Sequence, residues 1–523
     1  MQHTLRLVLS PEQAANEAEY KTLIARELNK DAERITYFSP LKKSIDARSR
    51  NVKIIIEFEV VLDEKAPEIV EFNPGYQHVD NKPEVHVIGA GPAGLFAALK
   101  LIENGYKPVI LERGKEIRGR RRDIADINRK QIVNPESNYC FGEGGAGTFS
   151  DGKLYTRSKK RGNVKRILEI LKFHGADEKI VYDAHPHIGT NKLPGIIQNI
   201  RQNILDAGGQ IHFETKLSDL IVEGNKITSL ITSKGDKIPV DKLILATGHS
   251  SRDIYQLLFD KKILLEQKPF AMGIRVEHPQ ELIDSIQYNC KIRSEYLPAA
   301  PYSLVSQING RGVYSFCMCP GGFIVPSATE PGQVVVNGMS PSSRNSKFAN
   351  SGIVVEVRLE DTLAFKEFGP LAGMKYQENL EKMSFQNGGG GQIAPAQRLP
   401  DFVNNKLSGD LPKTSYHPGI NSSPMHFWLP GNIGKPLQNG FREFGKKMHG
   451  YLTNEAVILG VESRTSSPVR IPRDKDNLHH PQIINLYPVG EGAGFAGGIV
   501  SSAIDGENSA ESVSRILSSN SGS

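Results

Sequence analysis

Apolar and polar residues alternate through Ile54, Glu57, Phe58, Glu59 and Val60, the period of two of a strand with one buried face. Residues 4–9 and 35–47 read as further strands and residues 11–28 as an amphipathic helix, so residues 1–76 predict a small α+β unit. Asn73-Pro74-Gly75 through Lys82-Pro83 reads as its linker. From Val85 the spacing changes: a short apolar run, a glycine-rich turn, helical spacing as far as Ile102, a stop at Gly105, and a second apolar run ending at Leu111. Residues 164–173 and 193–207 have helical spacing. Residues 210–214, 219–223, 227–232 and 237–240 are short strands broken by Gly224-Asn225 and Gly235-Asp236, and Leu243-Ile244-Leu245 is a buried strand. Residues 268–451 are strand-rich and punctuated by Pro and Gly, as expected of an inserted unit built on a sheet. Residues 451–459 read as the start of a helix, and strand, glycine turn and helix recur from Ile484 onward. The pattern predicts an α/β chain divided at 1–76, 82–266, 267–452 and 453–517, with a disordered tail at 518–523.

The first turn, Gly89-Ala90-Gly91-Pro92-Ala93-Gly94, lies between a strand and a helix, the context that gives G-x-G-x-x-G its meaning. Gly89 suits the tight turn, Gly91 the approach of backbone to a pyrophosphate, and Gly94 close helix–strand packing. The helix N-terminus offers N–H groups and partial positive charge. Glu112 ends the second strand, where a carboxylate accepts from a ribose hydroxyl. Beyond it lie Arg113, Arg118, Arg120, Arg121 and Arg122, read equally as a phosphate contact or a solvated helix face. Gly144, Gly145, Gly147, Thr148, Ser150 and Lys153 belong to a loop whose glycines suit backbone wrapping a flat or phosphorylated ligand; a flexible linker is the alternative.

Composition narrows the class. The chain has 523 residues, 38% hydrophobic and 23% charged, enough for several ordinary cores. A net charge of +6 gives little support to nucleic-acid binding. The basic stretch Lys42–Arg50 reads first as a protected edge strand and second as a contact for an acidic partner. No apolar run reaches the ~20 residues of a membrane span. Four cysteines are too few for a disulfide framework, and the expected location is the cytoplasm.

The glycine turn, Glu112, Ala246-Thr247-Gly248 and the late Gly490-Glu491-Gly492-Ala493-Gly494 resemble the FAD-binding half of the flavoprotein superfamily that includes glutathione reductase and p-hydroxybenzoate hydroxylase. More closely, Gly142–Leu154, Phe270–His278, Cys317–Gly322 and Glu462–Ile471 resemble a bacterial family of FAD-dependent dehydrogenases. The resemblance implies a Rossmann-like FAD-binding domain with a three-stranded β-flap, an inserted sheet-rich α+β substrate domain and a small N-terminal α+β domain. It implies that Gly490 and Glu491 sit at the second FAD motif, and that Ala496, Gly497, Gly498 and Ile499 aim a helix N-terminus at the flavin. Two departures from the disulfide reductases stand out. Cys140 has no partner in a Cys-x4-Cys pair, and no second dinucleotide turn lies between two strands.

The implied activity is that of an FAD-dependent oxidoreductase moving hydride between flavin and a small-molecule substrate, with NADH or NADPH as a transient donor. Arg275 is a candidate for orienting an anionic substrate. His278 and His187 are candidates for passing a proton, and each has an alternative as a structural, hydrogen-bonded residue. His185 and His187 lack further ligands at metal-site spacing, so no metal is expected. Cys317 and Cys319, on one face of an extended strand, would stand ~7 Å apart, at the limit for a disulfide; the alternative is a pair of small buried hydrophobes. Two other classes of function stay open: a flavoprotein that modifies or binds nucleic acid through its N-terminal unit and Arg118–Arg122, and a partner-binding protein with structural FAD.

Overall fold

The computed structural model describes residues 2–68, 70–156 and 162–521. Its centre is a five-stranded parallel sheet in the order Leu486–Pro488, Leu243–Leu245, Glu84–Ile88, Lys107–Leu111, Gln210–His212. Both faces are covered, as all-parallel sheets require. The helix Pro92–Glu103 packs against the last helix, Ile499–Ser521. Nine of the twelve residues in Pro92–Glu103 are buried, which explains its nearly unbroken apolar sequence. The strands Leu217–Glu223, Lys226–Thr232 and Lys237–Pro239 form a separate three-stranded antiparallel flap.

The second large unit is a seven-stranded sheet in the order Val305–Ile308, Arg311–Cys319, Phe348–Val357, Phe270–Pro279, Val457–Glu462, Ala394–Arg398, Ile420–Ser422. The strand Val457–Glu462 lies where the sequence predicts the start of a helix. All six of its residues are buried between Phe270–Pro279 and Ala394–Arg398. A short apolar run buried on both faces has no periodicity to separate strand from helix. The same unit carries two 17-residue helices, Ala372–Gly388 and Gly431–Lys447, so it is less purely sheet-built than its composition suggests.

At the N-terminus, the strands Gln2–Leu9, Lys53–Leu62 and Ile35–Asp46 form an antiparallel sheet in that order. The expected helix over 11–28 breaks at Asn16, whose backbone leaves helical geometry, into Pro11–Ala15, a 3-10 turn at Glu17–Glu19, and Tyr20–Leu28. The Asn16 amide bonds Glu19 Oε1 at 2.8 Å, the local competition that makes Asn a poor helix-interior residue. At the other end, residues 518–521 are not a disordered tail. The last helix runs to Ser521 and is tied to the residue preceding the strand Lys107–Leu111 by the Tyr106 hydroxyl, 2.9 Å from Ser518 Oγ. Residues 522 and 523 lie outside the described residues. No helix among the described residues is long and apolar enough to cross a membrane.

Candidate active site

A cleft runs from the C-terminal ends of the parallel strands to the seven-stranded sheet. Its position outside the carboxyl ends of an open parallel sheet is where such folds bind ligands.

At one end, the helix Pro92–Glu103 begins with Gly91 at its N-cap and no side-chain cap. A Cβ at Gly91 would meet only the Gly145 Cα, 3.8 Å away, so the turn is open to the cleft. A Cβ at Gly94 would collide with the Gly89 carbonyl, which makes that glycine a packing requirement. Glu112 is 5% exposed. Its Oε2 accepts from Ala90 N at 2.8 Å, and its Oε1 from Gly114 N at 2.9 Å and Gly142 N at 3.0 Å. A carboxylate has about four acceptor positions, so a ribose hydroxyl still finds one on the cleft side. Arg113 also lines the cleft, its guanidinium paired with Glu136 and Asp253 and placed over the Phe141 ring.

Also lining the cleft are Ser150, Lys153, Ala246, Thr247, Gly248, Gly490, Glu491, Gly497, Gly498 and Ile499, together with Gly145 and Gly147, which pack beside the first glycine turn. Gly490 N donates to Asp505 Oδ2 at 2.7 Å, and Arg473 forks onto the same carboxylate at 2.6 and 3.0 Å. Asp505, one turn inside the last helix, thus clamps the second glycine turn, a role the linear spacing leaves unmarked.

The far wall is made by Cys317 and Cys319 of the seven-stranded sheet and by Asn337 and Gly338 of a separate two-stranded hairpin, Phe323–Pro326 with Val336–Met339. The Cys-x-Cys segment is not a plain strand: Cys317 has φ +43°, and pairing with Phe348–Val357 skips between Phe316 and Cys319. This bulge turns Cys317 outward while Cys319 is buried, its Sγ–H directed at Cys317 O at 3.2 Å. Both thiols are free.

Several expected site residues stand elsewhere. Arg120 is fully buried and spends its guanidinium on the carbonyls of Asn138, Tyr139, Gly142 and Glu143; it shapes the glycine loop rather than meeting a phosphate. Thr148 bonds Glu143 O at 2.8 Å beneath Gly144, and neither residue lines the cleft, nor does Ala496. Arg275 is 0% exposed, with Nε on Glu462 at 2.8 Å and a terminal nitrogen on Asn350 Oδ1 at 2.6 Å. It supports the far wall from behind and has no face for a substrate. His278 is fully buried, bonded to Tyr451 O at 2.8 Å, and borders a separate cavity with Glu277 and Arg398. His187 bonds Ser342 O at 3.2 Å behind Lys153. In each, Nε2 is taken up by a backbone carbonyl.

The chain matches the family described as FAD-dependent protein, C-terminal domain-like, over residues 269–465. It matches an NAD(P)-binding Rossmann-like domain over residues 87–144 and a domain of unknown function over residues 1–61. An uncharacterized protein of Clostridium beijerinckii is 40% identical over 511 residues, 94% of each chain. The chain is an FAD-dependent oxidoreductase of this family. A thiamine thiazole synthase of Aeropyrum pernix is 26% identical over 153 residues, 29% of this chain and 44% of that one. Among solved structures, L-proline dehydrogenase from P. horikoshii is 13% identical with a TM-score of 0.35, covering 84% of this chain and 94% of that one.

The oxidoreductase has the groups that FAD needs: an open glycine turn before an uncapped helix, a carboxylate with an acceptor position to spare, and a cleft lined by both glycine turns. It also has cleft residues that sequence reasoning did not single out. His249 stands 3.4 Å from Glu491. Arg252 and Arg464 both fork onto the buried Glu381, with contacts of 2.8 to 3.1 Å. That cluster has an excess positive charge, and its guanidiniums hold the Glu381 carboxyl well below the ordinary range despite burial. Burial first, then Arg464 and Arg252, lower His249 to about 4. Burial likewise raises Glu491, so both members of the pair favour their neutral forms. Arg464 falls within the Glu462–Ile471 stretch that carries the family resemblance, whereas its partner lies 83 residues upstream and is marked by no local spacing.

Proposed function

We propose that the enzyme binds a small substrate between the Gly497–Ile499 turn and the far wall formed by Cys317, Asn337 and Lys153, with NADH or NADPH as a transient electron donor. The observation that carries this reading is the single continuous cleft joining the glycine turns to that wall. FAD, when bound, supplies the hydride-transfer chemistry. Gly91 and the helix start at Pro92 hold its pyrophosphate, and Glu112 holds its ribose. The N-terminus of Ile499–Ser521 supplies positive potential where negative charge develops. The seven-stranded sheet contributes one wall of the cleft. Arg275, locked by Glu462 and Asn350, keeps the wall rigid.

Anaerobic mixing of the FAD-loaded enzyme with NADPH, then NADH, tests this. Rapid bleaching of the visible flavin band by one donor is the expected result. Failure of both donors, with bleaching by dithionite intact, would remove the nicotinamide link and leave a substrate-driven dehydrogenase.

A further inference from the structure

Carboxylates and cations are unevenly matched along the cleft. At the nucleotide end Arg113 and Lys216 face Glu136 and Asp253, with contacts of 2.8 to 3.1 Å, and the charges balance. Beside the second glycine turn, His249 and Glu491 favour their neutral forms, and Arg252 and Arg464 share the single carboxylate of Glu381. Cys140, also on the cleft, has its thiol 3.7 Å from Ser327 Oγ. At the far wall three cations meet two carboxylates. Asp151, 3% exposed, is taken by Arg344 at 2.8 Å, and Glu462, 2% exposed, by Arg275 at 2.8 Å. Lys153 is the third cation. Its ammonium donates to Met318 O and stands 3.8 Å from Asp151 and 3.9 Å from Cys319 Sγ. Burial lowers the neighbouring His187, so that imidazole adds no charge at neutral pH. The far wall therefore keeps one positive charge in excess, on the lysine that lines the cleft.

Hydrogen-bonding capacity on this wall is one-sided in the same sense. Asn337 Oδ1 accepts from Gly338 N at 2.7 Å and from Arg275 at 3.4 Å. Both neighbours are donors, so the amide oxygen is the end that faces them. Its Nδ2 is a donor with no partner among the described residues, on a side chain that lines the cleft. Asn350 repeats the arrangement one layer deeper. Its Oδ1 accepts from Arg275 at 2.6 Å, and its buried Nδ2 is unpartnered. A single guanidinium thus decides which end of both amides is left as a donor.

We infer that the substrate carries a carboxylate, and that Lys153 and the Asn337 amide hold it beside the Cys317–Cys319 bulge. The inference rests on the proposed reading of this cleft as the site of flavin and substrate. Lys153 reaches the bulge directly at Met318 O, and Asn337 reaches it through Arg275, 3.4 Å from Cys317 O. Lys153 supplies a point charge from the FAD-binding unit, and Asn337 supplies a neutral donor from the hairpin. A carboxylate offers one oxygen to each. One excess charge matches a singly charged anion, whereas a phosphate dianion would leave a negative charge unmatched. Arg275, itself locked by Glu462, is a positioning residue that keeps the Asn337 nitrogen available.

The test titrates oxidised, FAD-loaded enzyme with acetate, succinate and benzoate, with benzamide and inorganic phosphate as controls. The flavin spectrum and equilibrium dialysis report binding. At least one carboxylate is expected to bind saturably, and more tightly than benzamide or phosphate. Lys153→Met should weaken it about tenfold or more, the scale of a lost hydrogen bond to a charged group, and Lys153→Arg should restore much of the affinity. Asn337→Asp, nearly isosteric, should abolish binding by like charge, and it carries the test if Lys153→Met does not fold. Arg275→Lys keeps a charge for Glu462 but gives up the nitrogen facing Asn337, so it should weaken the carboxylate by a smaller factor. FAD affinity, followed by fluorescence quenching, should be unchanged in all of these variants. FAD-loaded wild type that binds no carboxylate, or binds phosphate more tightly, would overturn the substrate class. Equal carboxylate affinity in Lys153→Met and Asn337→Asp would overturn the site, and equal affinity in Arg275→Lys would remove its positioning role. A matching loss of FAD affinity would place Lys153 on the cofactor and overturn the assignment. Wild type that takes up no FAD would overturn the underlying reading instead.

Discussion

The two ends of the cleft hold their charged groups by different means. At the nucleotide end, Glu112 is held by three backbone N–H groups, two of them from glycine-bearing turns within 30 residues of it. At the sheet end, Arg275 is held by Glu462, 187 residues away, and Glu381 by Arg252 and Arg464, 129 and 83 residues away. Backbone donors bring no desolvated counter-charge and fix geometry through local chain conformation. Buried side-chain pairs must balance a large desolvation cost, and losing either partner leaves the other charge stranded. The nucleotide end should therefore tolerate substitution with local losses, and the sheet end should fail globally.

The largest effect expected from this contrast is at Glu381. Glu381→Ala leaves two buried guanidiniums facing each other and should cost roughly 3–5 kcal/mol, read as a fall in the urea midpoint at pH 7. A loss below about 1 kcal/mol would show that water enters and solvates the pair.

Next is the pH dependence of the sheet unit. His278 is fully buried and titrates near 4 rather than 6.5, because burial disfavours its charged form. The unfolded chain thus binds a proton that the folded one refuses. The stabilisation is complete above pH 6.5 and is lost as pH falls toward 4, by roughly 3 kcal/mol in all. His278→Gln, whose amide can still meet Tyr451 O, should flatten the stability profile between pH 6.5 and 4 relative to wild type. Parallel profiles would mean that His278 does not carry the dependence.

At the nucleotide end, Glu112→Gln replaces a charged acceptor of three N–H bonds by an amide that presents a donor to at least one of them. The expected cost is about 1.5–3 kcal/mol, appearing as weaker FAD affinity more than as loss of the apoprotein fold. Equal losses in both would erase the contrast between the ends.

The smallest effect is at Cys317. A non-glycine residue at φ +43° stores about 1–3 kcal/mol of backbone strain, so Cys317→Gly should raise thermal stability slightly while removing thiol labelling from the peptide that carries residue 317. A drop in stability would mean that the side chain is packed and not merely presented.

The same contrast explains what was legible in the sequence. The turn at Gly89–Gly94, the carboxylate at Glu112, the flap meander and the late turn at Gly490 depend on local conformation, and their spacing is written in adjacent residues. Val164–Phe173 was readable to the residue for the same reason. His249, Arg464 and Asp505 act through partners brought together by the fold, and no spacing rule links residue 381 to 464. Arg275, His278 and Arg120 were chosen for their chemistry, yet burial gave them structural partners. The strand Val457–Glu462 was hidden because residues buried on both faces of a sheet lose the alternation that marks a strand. At Cys317 a bulge, not the regular pleat that Cys-x-Cys spacing implies, sets the direction of the side chain.

The most direct test of the account is an FAD titration of the apoprotein, followed by quenching of flavin fluorescence, for wild type and Gly91→Val. The open space at Gly91 predicts that the variant folds as wild type does, by circular dichroism and urea midpoint. Its isopropyl group should occupy the pyrophosphate position and weaken FAD binding by about a hundredfold or more, a change of about 2.7 kcal/mol. Folded wild-type protein that takes up no FAD, or a Gly91→Val variant that binds it equally well, would contradict the assignment of this cleft.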